Sequence, residues 1–442
     1  MANSYLTRSI SSTGTNTKGT FSGWIKRGNI ASDYPRFFAI NTDANRYLRL
    51  FFHNDQKLHL YIDNGSGIGQ RKTTRVFRDT SAWYHIVVAI DSLQGTASDR
   101  IKVWVNGVQE TTFDSTINPA QGANMMINNS GSTFVIGRHE SASTDYFNGY
   151  MSHVSWVDGT ALTPTSFGET DSTSGIWKFK SPSGITWGTN GVHLKFENSG
   201  NLGLDSSGQG NNFTVNGNLK QALDTPSNVH ATLNPLVPST NATFSNGSNT
   251  ITGSQADNYS QSTISTLGVS AGKWYCEAKY TTANSNVNPN VGIATLENFR
   301  YDVNNTGASG FANVRFDGQV YVDGSSGSSS YWGSNPVAGD IIMFALDMDN
   351  GKFYLGKNGS WENSGVPTSG STGTGSITSS RSGTQAINVR YLASVFDFNF
   401  GNGFFGTTAI SSAGSNGNGS LFEYDVPNGY YALNTKNINT YG

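Results

Sequence analysis

The sequence predicts an all-β protein built as two consecutive antiparallel β-sandwich domains of jelly-roll type, and three observations carry that prediction. Charged residues make up only 13% of the 442, roughly half the usual share for a globular chain. Glycine occurs 52 times and aromatic residues make up 12%. That mixture suits many short strands, because aromatic and β-branched side chains pack on a pleated surface and glycine accepts the positive φ of tight turns. Two-residue alternation recurs along the chain, whereas a sustained 3.6-residue period does not. The length exceeds one ordinary sandwich and fits two, since domains usually run to about 100–200 residues.

In chain order, Phe21-Ser22-Gly23-Trp24-Ile25-Lys26 and Tyr47-Leu48-Arg49-Leu50-Phe51-Phe52 read as strands. Ser81 to Asp91 places Trp83, His85, Val87 and Ala89 on one face and Tyr84, Ile86, Val88 and Ile90 on the other. Both faces are largely apolar, as in a central strand of a sandwich. Asp99 to Val108 follows, with Asn106-Gly107 supplying a type I′ hairpin turn. Thr133-Phe134-Val135-Ile136-Gly137 and Gly149 to Val157 are further strands, and Thr163-Pro164 starts a single helical turn with proline at its first position. No other segment is expected to be helical.

These residues resemble a known family. Phe21 to Ile25, Ala82 to Val87, Val103 to Gly107 and Phe147-Asn148-Gly149-Tyr150-Met151 look like the ordered strands of laminin-G/concanavalin A-like lectin domains, which assigns residues 1–223 to such a domain. Its tail, Phe167-Gly168-Glu169, Gly175-Ile176-Trp177-Lys178 and Leu204 to Asn212, is similar to a version found in virion proteins of marine bacteriophages. Residues 224–239 collect Pro226, Pro235 and Pro238 and are expected to form an extended connector. Beyond it, Gly272 to Glu277, Val291-Gly292-Ile293-Ala294, the long run Gly339 to Gly359, Phe398-Asn399-Phe400-Gly401 and Pro427 to Thr435 resemble a SPRY domain over residues 240–442. The SPRY resemblance implies a second sandwich used for binding proteins.

Several chemistries are disfavoured by the residues themselves. A net charge of −2 with no Lys/Arg run longer than Arg71-Lys72 offers no field for phosphate, so no nucleic-acid partner is expected. No run of about 18 apolar residues and no signal-like leader occur, so no membrane insertion or export by the standard route is expected. Cys276 is the sole cysteine, which excludes an intrachain disulfide. It shares a strand face with Trp274, Ala278 and Tyr280 and reads as a buried thiol. Gly401-Asn402-Gly403-Phe404-Phe405-Gly406 satisfies a dinucleotide fingerprint in letters only, since no helix is expected after it. Asp347-Met348-Asp349-Asn350-Gly351 reads as a hairpin turn. Asp205-x-Ser207-x-Gln209-Gly210 is the better oxygen-rich loop, so no cofactor is expected, with calcium the one possible ion.

Glycoside hydrolysis needs two carboxylates flanking the bond. Glu110, Glu169, Glu197 and Glu277 are isolated from one another in sequence, the histidines form no metal-ligand cluster, and His85 reads as a core side chain. A non-enzymatic binding protein is therefore expected, and aromatic residues in loops are its usual instruments. Tyr331, Trp332 and Trp361 in the second domain and Tyr34, Tyr146 and Trp187 in the first are the candidate ligand contacts, whereas Trp24, Trp83, Trp104 and Trp274 belong to cores. The phage resemblance implies a structural protein on the surface of the particle, made in the host cytoplasm. It would be homo-oligomeric, a tail fibre or host-facing appendage that touches other virion proteins and binds host surface glycan or a cell-envelope partner. A capsid-decorating protein bound only to other virion proteins is the alternative, and a polysaccharide-degrading enzyme ranks third.

Overall fold

Asn106 and Gly107 both take positive φ, 49° and 80°, so the type I′ turn forms where the sequence places it and joins strands Ile101–Val105 and Val108–Gln109. Around this hairpin, the computed structural model describes residues 3–30, 33–65, 68–237, 241–254, 261–284, 287–299, 310–327, 330–378 and 381–442. The chain divides into two compact units, 1–221 and 222–442.

The first unit is a sandwich of two sheets. Its larger sheet runs, edge to edge, Phe113–Ile117, Gly69–Val76, Lys57–Asn64, Arg46–Phe52, Arg36–Asp43, Thr133–Ile136, Tyr5–Ser9 and Thr214–Asn216. The smaller runs Val192–Leu194, Gly149–Asp158, Lys18–Arg27, Trp83–Asp91, Ile101–Val105 and Val108–Gln109. Alternate residues turn inward from both: Leu48, Leu50 and Phe52 from the large sheet meet Phe21, Ile86, Val88 and Trp156 from the small one in a single buried cluster. The helical turn forms at Pro164–Ser166.

The second unit repeats the plan. One sheet runs Ala242–Ser245, Thr250–Gly253, Val395–Asn399, Lys273–Thr282, Ile341–Asp347, Lys352–Lys357 and Ser360–Trp361. The short strand Tyr431–Ala432 joins it in parallel to Lys273–Thr282. The facing sheet runs Ser262–Ile264, Gln385–Arg390, Asn290–Thr295, Phe311–Arg315, Val320–Val322 and Ser325–Ser326. Trp274, Cys276, Ala278 and Tyr280 lie together in the core between them. Asp347 accepts hydrogen bonds from the Asn350 backbone and side chain, which closes the loop the sequence marks as a turn.

Two expectations need correction. Within the expected extended connector, residues 224–237 belong to the second unit. Ala231 and Leu233 are buried in the second core, and their backbone N–H groups donate to Leu433 and Ser248 at 2.9 Å. The prolines remove donors only at their own positions and leave the residues between them free to pair. Pro238 lies outside the described residues. A helix also forms at Thr435–Tyr441, capped by the Asn434 side chain, which accepts from the Asn437 N–H, and braced by Tyr441 stacked on Tyr431 at 3.6 Å. Among the described residues no helix is long and apolar enough to cross a membrane.

Candidate functional site

The outer face of the large sheet in the first unit carries a dense set of aromatic and hydrogen-bonding side chains. Its origin is simple alternation: with Leu48, Leu50, Leu58, Leu60 and Ile62 turned into the core, the intervening Tyr47, Arg49, Phe51, His59 and Tyr61 must face outward. Register then pairs them, with Arg49 opposite Tyr61 and Phe51 opposite His59. The rings form a continuous stripe. Tyr47 and Tyr61 lie 6.0 Å apart, Tyr61 and His59 6.1 Å, His59 and Phe51 4.8 Å, and Tyr34 closes the end against His53 at 5.1 Å.

Polar groups are fixed beside this stripe. The Arg49 guanidinium lies over the Tyr47 ring at 3.4 Å and reaches Glu140 at 2.7 Å. Arg36 pairs with the same Glu140 and also with Asp145 at 3.5 Å. Glu140 is almost wholly buried and arrives on the loop after Thr133–Ile136, whose far end is tied down by the Tyr146–Arg36 bridge. The Gln70 side-chain amide donates to His59 Nε2 at 2.8 Å, which leaves the His59 proton on Nδ1. Burial pushes the His59 ring down to about 4, so it stands neutral at pH 7. Burial also lowers the Arg36 guanidinium.

Two of the other three broad faces carry a covering segment. On the small sheet of the first unit lies a two-stranded ribbon, Gly168–Thr170 with Trp177–Phe179. Trp177 Nε1–H donates to His85 Nδ1 at 2.9 Å, which puts the His85 proton on Nε2 against Ser22 Oγ, also at 2.9 Å. Phe179 stacks on His153 at 3.6 Å, and His153 Nδ1 meets His193 Nε2 at 3.4 Å. Burial pushes His85 down to about 3 and His153 and His193 to about 4. In the second unit, the segment around Phe422 and Val426 covers Tyr275, Met343 and Tyr354. It is pinned by Glu277, which accepts from the backbone N–H groups of Glu423 and Tyr424 at 2.9 Å. Asn290 and Asn313, on the outer face of the remaining sheet, are fully buried.

The candidate contacts named from sequence divide accordingly. Tyr34 and Tyr146 lie on the large-sheet face. Trp187 is on the opposite side of the unit, stacked on His193 at 5.6 Å. Trp361 is half-buried against Tyr275. Tyr331 and Trp332 are a correction, being core residues only 5% exposed. The Tyr331 hydroxyl donates to the Leu355 carbonyl at 3.2 Å and accepts from the Leu355 N–H at 3.1 Å, and Trp332 Nε1–H donates to the Arg315 carbonyl at 2.9 Å. Their polar tips are satisfied by backbone, so no surface partner is required. His85, Trp24, Trp83, Trp104 and Trp274 are buried as read.

The residues that sequence reading missed are Arg36, Arg49, Glu140, Tyr47, Tyr61 and His59. The aromatic and basic side chains alternating with leucine in two successive strands were the signal for four of them. Nothing local marks Glu140.

Asp205, the best calcium candidate, is already saturated. Its two oxygens accept from the His193 N–H, the Ser207 N–H and hydroxyl, and the Asn211 N–H at 2.8–2.9 Å. Among the described residues no group of three or more acidic, histidine or cysteine side chains could hold a metal. On the large-sheet face Glu140 and Asp145 both pair with Arg36.

Residues 2–166 match the family model described as the concanavalin A-like lectin/glucanases superfamily. No curated protein matches the chain. Similar solved structures include the SPRY domain of human HERC1, with 18% identity, TM-score 0.26 and 34% of this chain covered against 86% of that one. A heptameric SAP-like pentraxin from Limulus polyphemus shows 18% identity and TM-score 0.28, covering 37% and 72%. Domain 4 of AbnA, an extracellular arabinanase from Geobacillus stearothermophilus solved with arabinotriose, shows 17% identity and TM-score 0.26, covering 34% and 65%.

Proposed function

We propose that the protein is a bacteriophage virion component, a tail fibre or other host-facing appendage, which binds host surface glycan through the outer face of the large sheet in its first unit. The observation that carries the binding role is the aromatic stripe from Tyr47 to Tyr34 with Arg49 fixed beside it. Flat rings take up the apolar faces of sugars, a guanidinium fork takes up their hydroxyls, and a rigid sheet holds both in place at little entropic cost. The virion role is supported by the resemblance of residues 167–212 to phage virion proteins. In this reading the second, SPRY-like unit attaches the protein to its virion neighbours.

The test is binding of the purified full chain to host surface polysaccharide on a glycan array, beside binding to purified capsids. Retention on polysaccharide, lost in Tyr61→Ala, is expected. No binding to polysaccharide combined with tight binding to capsid would overturn the appendage reading in favour of capsid decoration.

A further inference from the structure

The charges around the stripe identify the class of glycan it takes. Arg36 and Arg49 converge on Glu140, Lys72 pairs with Asp55 at 2.8 Å, Lys57 pairs with Asp114, and Arg46 pairs with Asp43. Arg138, at the margin, lies over the Tyr5 ring at 4.0 Å and donates to the Ala142 carbonyl at 3.1 Å. Apart from Arg138, which is held at the margin by a ring and a carbonyl, the cations that flank the stripe are thus already matched by carboxylates of the same face. An acidic sugar laid on the rings would shed water from its carboxylate and meet guanidinium and ammonium groups already committed to other acids, with Glu140, Asp55 and Asp63 close by. Desolvating a charge without a free partner is strongly unfavourable. A neutral sugar meets no such penalty. Its hydroxyls can exchange donors and acceptors with the Gln70 amide, the tyrosine hydroxyls and the outer edge of Arg49, while its apolar face covers the rings.

We infer that the large-sheet face takes an uncharged, hydroxyl-rich polysaccharide, stacked along the Tyr47–Tyr61–His59 stripe, and that acidic polysaccharides are discriminated against. This rests on the glycan-binding reading above and adds the chemical class of the ligand. The stretch from Tyr47 to Phe51 spans about 14 Å at ~3.4 Å per residue, so the ligand is a chain segment longer than a single sugar.

The experiment measures affinity of the full chain for neutral polymers (mannan, galactan, mixed-linkage β-glucan) and uronate polymers (alginate, polygalacturonate) at 0.05 and 0.5 M NaCl (a roughly threefold change in Debye length). At least one neutral polymer should bind, with affinity changing less than about twofold across that range, because no ion pair forms on binding. Tyr61→Ala should lose at least about tenfold, the size expected of a stacking anchor, and Tyr61→Phe, which keeps the ring and the packing, should lose less than about threefold. Circular dichroism of each variant separates loss of contact from loss of fold. Binding to a uronate polymer that weakens steeply with salt would overturn the inference about ligand class and leave glycan binding standing. Failure of every polymer to bind would overturn both.

Discussion

Acidification should destabilise the first unit through its buried histidines, and His85 is where the effect can be isolated. In the folded unit Trp177 Nε1–H points at His85 Nδ1, and an indole nitrogen can only donate. Protonating His85 would set two N–H groups against each other in a buried site. Burial accordingly pushes the ring from its ordinary 6.5 down to about 3. The sign follows from linkage: the unfolded chain binds the proton first, so the contribution is complete above about pH 6.5 and is lost as pH falls toward 3. At pH 5 the unfolded histidine is about 1.5 pH units below its pKa, which corresponds to a loss of about 2 kcal/mol from this one residue. Asp55, although burial opposes it, is held down to about 2 by Lys72 and His53, and so titrates well below pH 5.

The measurement is urea unfolding of the full chain at pH 7.5 and pH 5.0, followed by hydrogen-exchange mass spectrometry so that peptides of each unit are read separately. The native protein is compared with His85→Gln, whose side chain can still accept from Trp177 but does not titrate. Whatever the substitution costs at pH 7.5, the further loss on going to pH 5.0 should be smaller in His85→Gln by about 2 kcal/mol. Equal losses in the two proteins, or no loss in the native one, would refute the tautomer and the burial argument together.

Further outcomes follow from individual contacts. Glu277 has the opposite linkage, because burial raises its carboxyl to about 7 from 4.5. Its contribution is complete below pH 4.5 and is lost as pH rises through 7, so peptides of the second unit should be better protected at pH 6 than at pH 8 after correction for intrinsic exchange. Glu140→Ala removes the buried carboxylate shared by Arg36 and Arg49, leaving Arg36 only Asp145, and should cost about 3–5 kcal/mol in urea unfolding; a cost under about 1 kcal/mol would show that Arg36 and Arg49 re-solvate. Tyr331→Phe removes a hydroxyl bonded to the Leu355 backbone and should cost about 1–2 kcal/mol with polysaccharide affinity unchanged, whereas an affinity loss would restore Tyr331 as a ligand contact. Cys276 is buried, and burial raises its thiol, so a thiol-specific reagent should label it only after denaturation.

The strands were legible because each has to solve the same local problem of turning alternate residues toward a core, and Trp274, Cys276, Ala278 and Tyr280 all face the core that their spacing implies. The Asn106-Gly107 turn was legible because so few residue pairs accept positive φ twice. Tyr331-Trp332 misled for a physical reason: glycine and serine neighbours signal irregular backbone, and irregular backbone can still deliver an aromatic ring into a core when its polar atom finds a carbonyl. The helix at Thr435–Tyr441 has weak intrinsic propensity and depends on a cap and a ring stack that no periodicity reveals. The binding face was half legible. Tyr47, Arg49, His59 and Tyr61 were available to anyone asking which residues face away from Leu48 and Leu60, but Glu140 comes from a loop far along the chain and is placed only by strand order.

That same strand order has a consequence for synthesis. In the first unit Tyr5–Ser9 pairs with Thr214–Asn216, and in the second His230 bridges Asn434, so each unit is closed by joining its earliest segment to its latest. A ribosome adding about 5–20 residues per second spends roughly 10–40 s on the 221 residues of the first unit, during which Tyr5–Ser9 waits for its last partner. For that interval the nascent sheet presents an unpaired edge, the feature through which chains pair with the wrong neighbour. Tyr5-Leu6-Thr7-Arg8-Ser9 is short and carries a cation at its fourth position, and both properties make it a poor template for a stray strand while it waits.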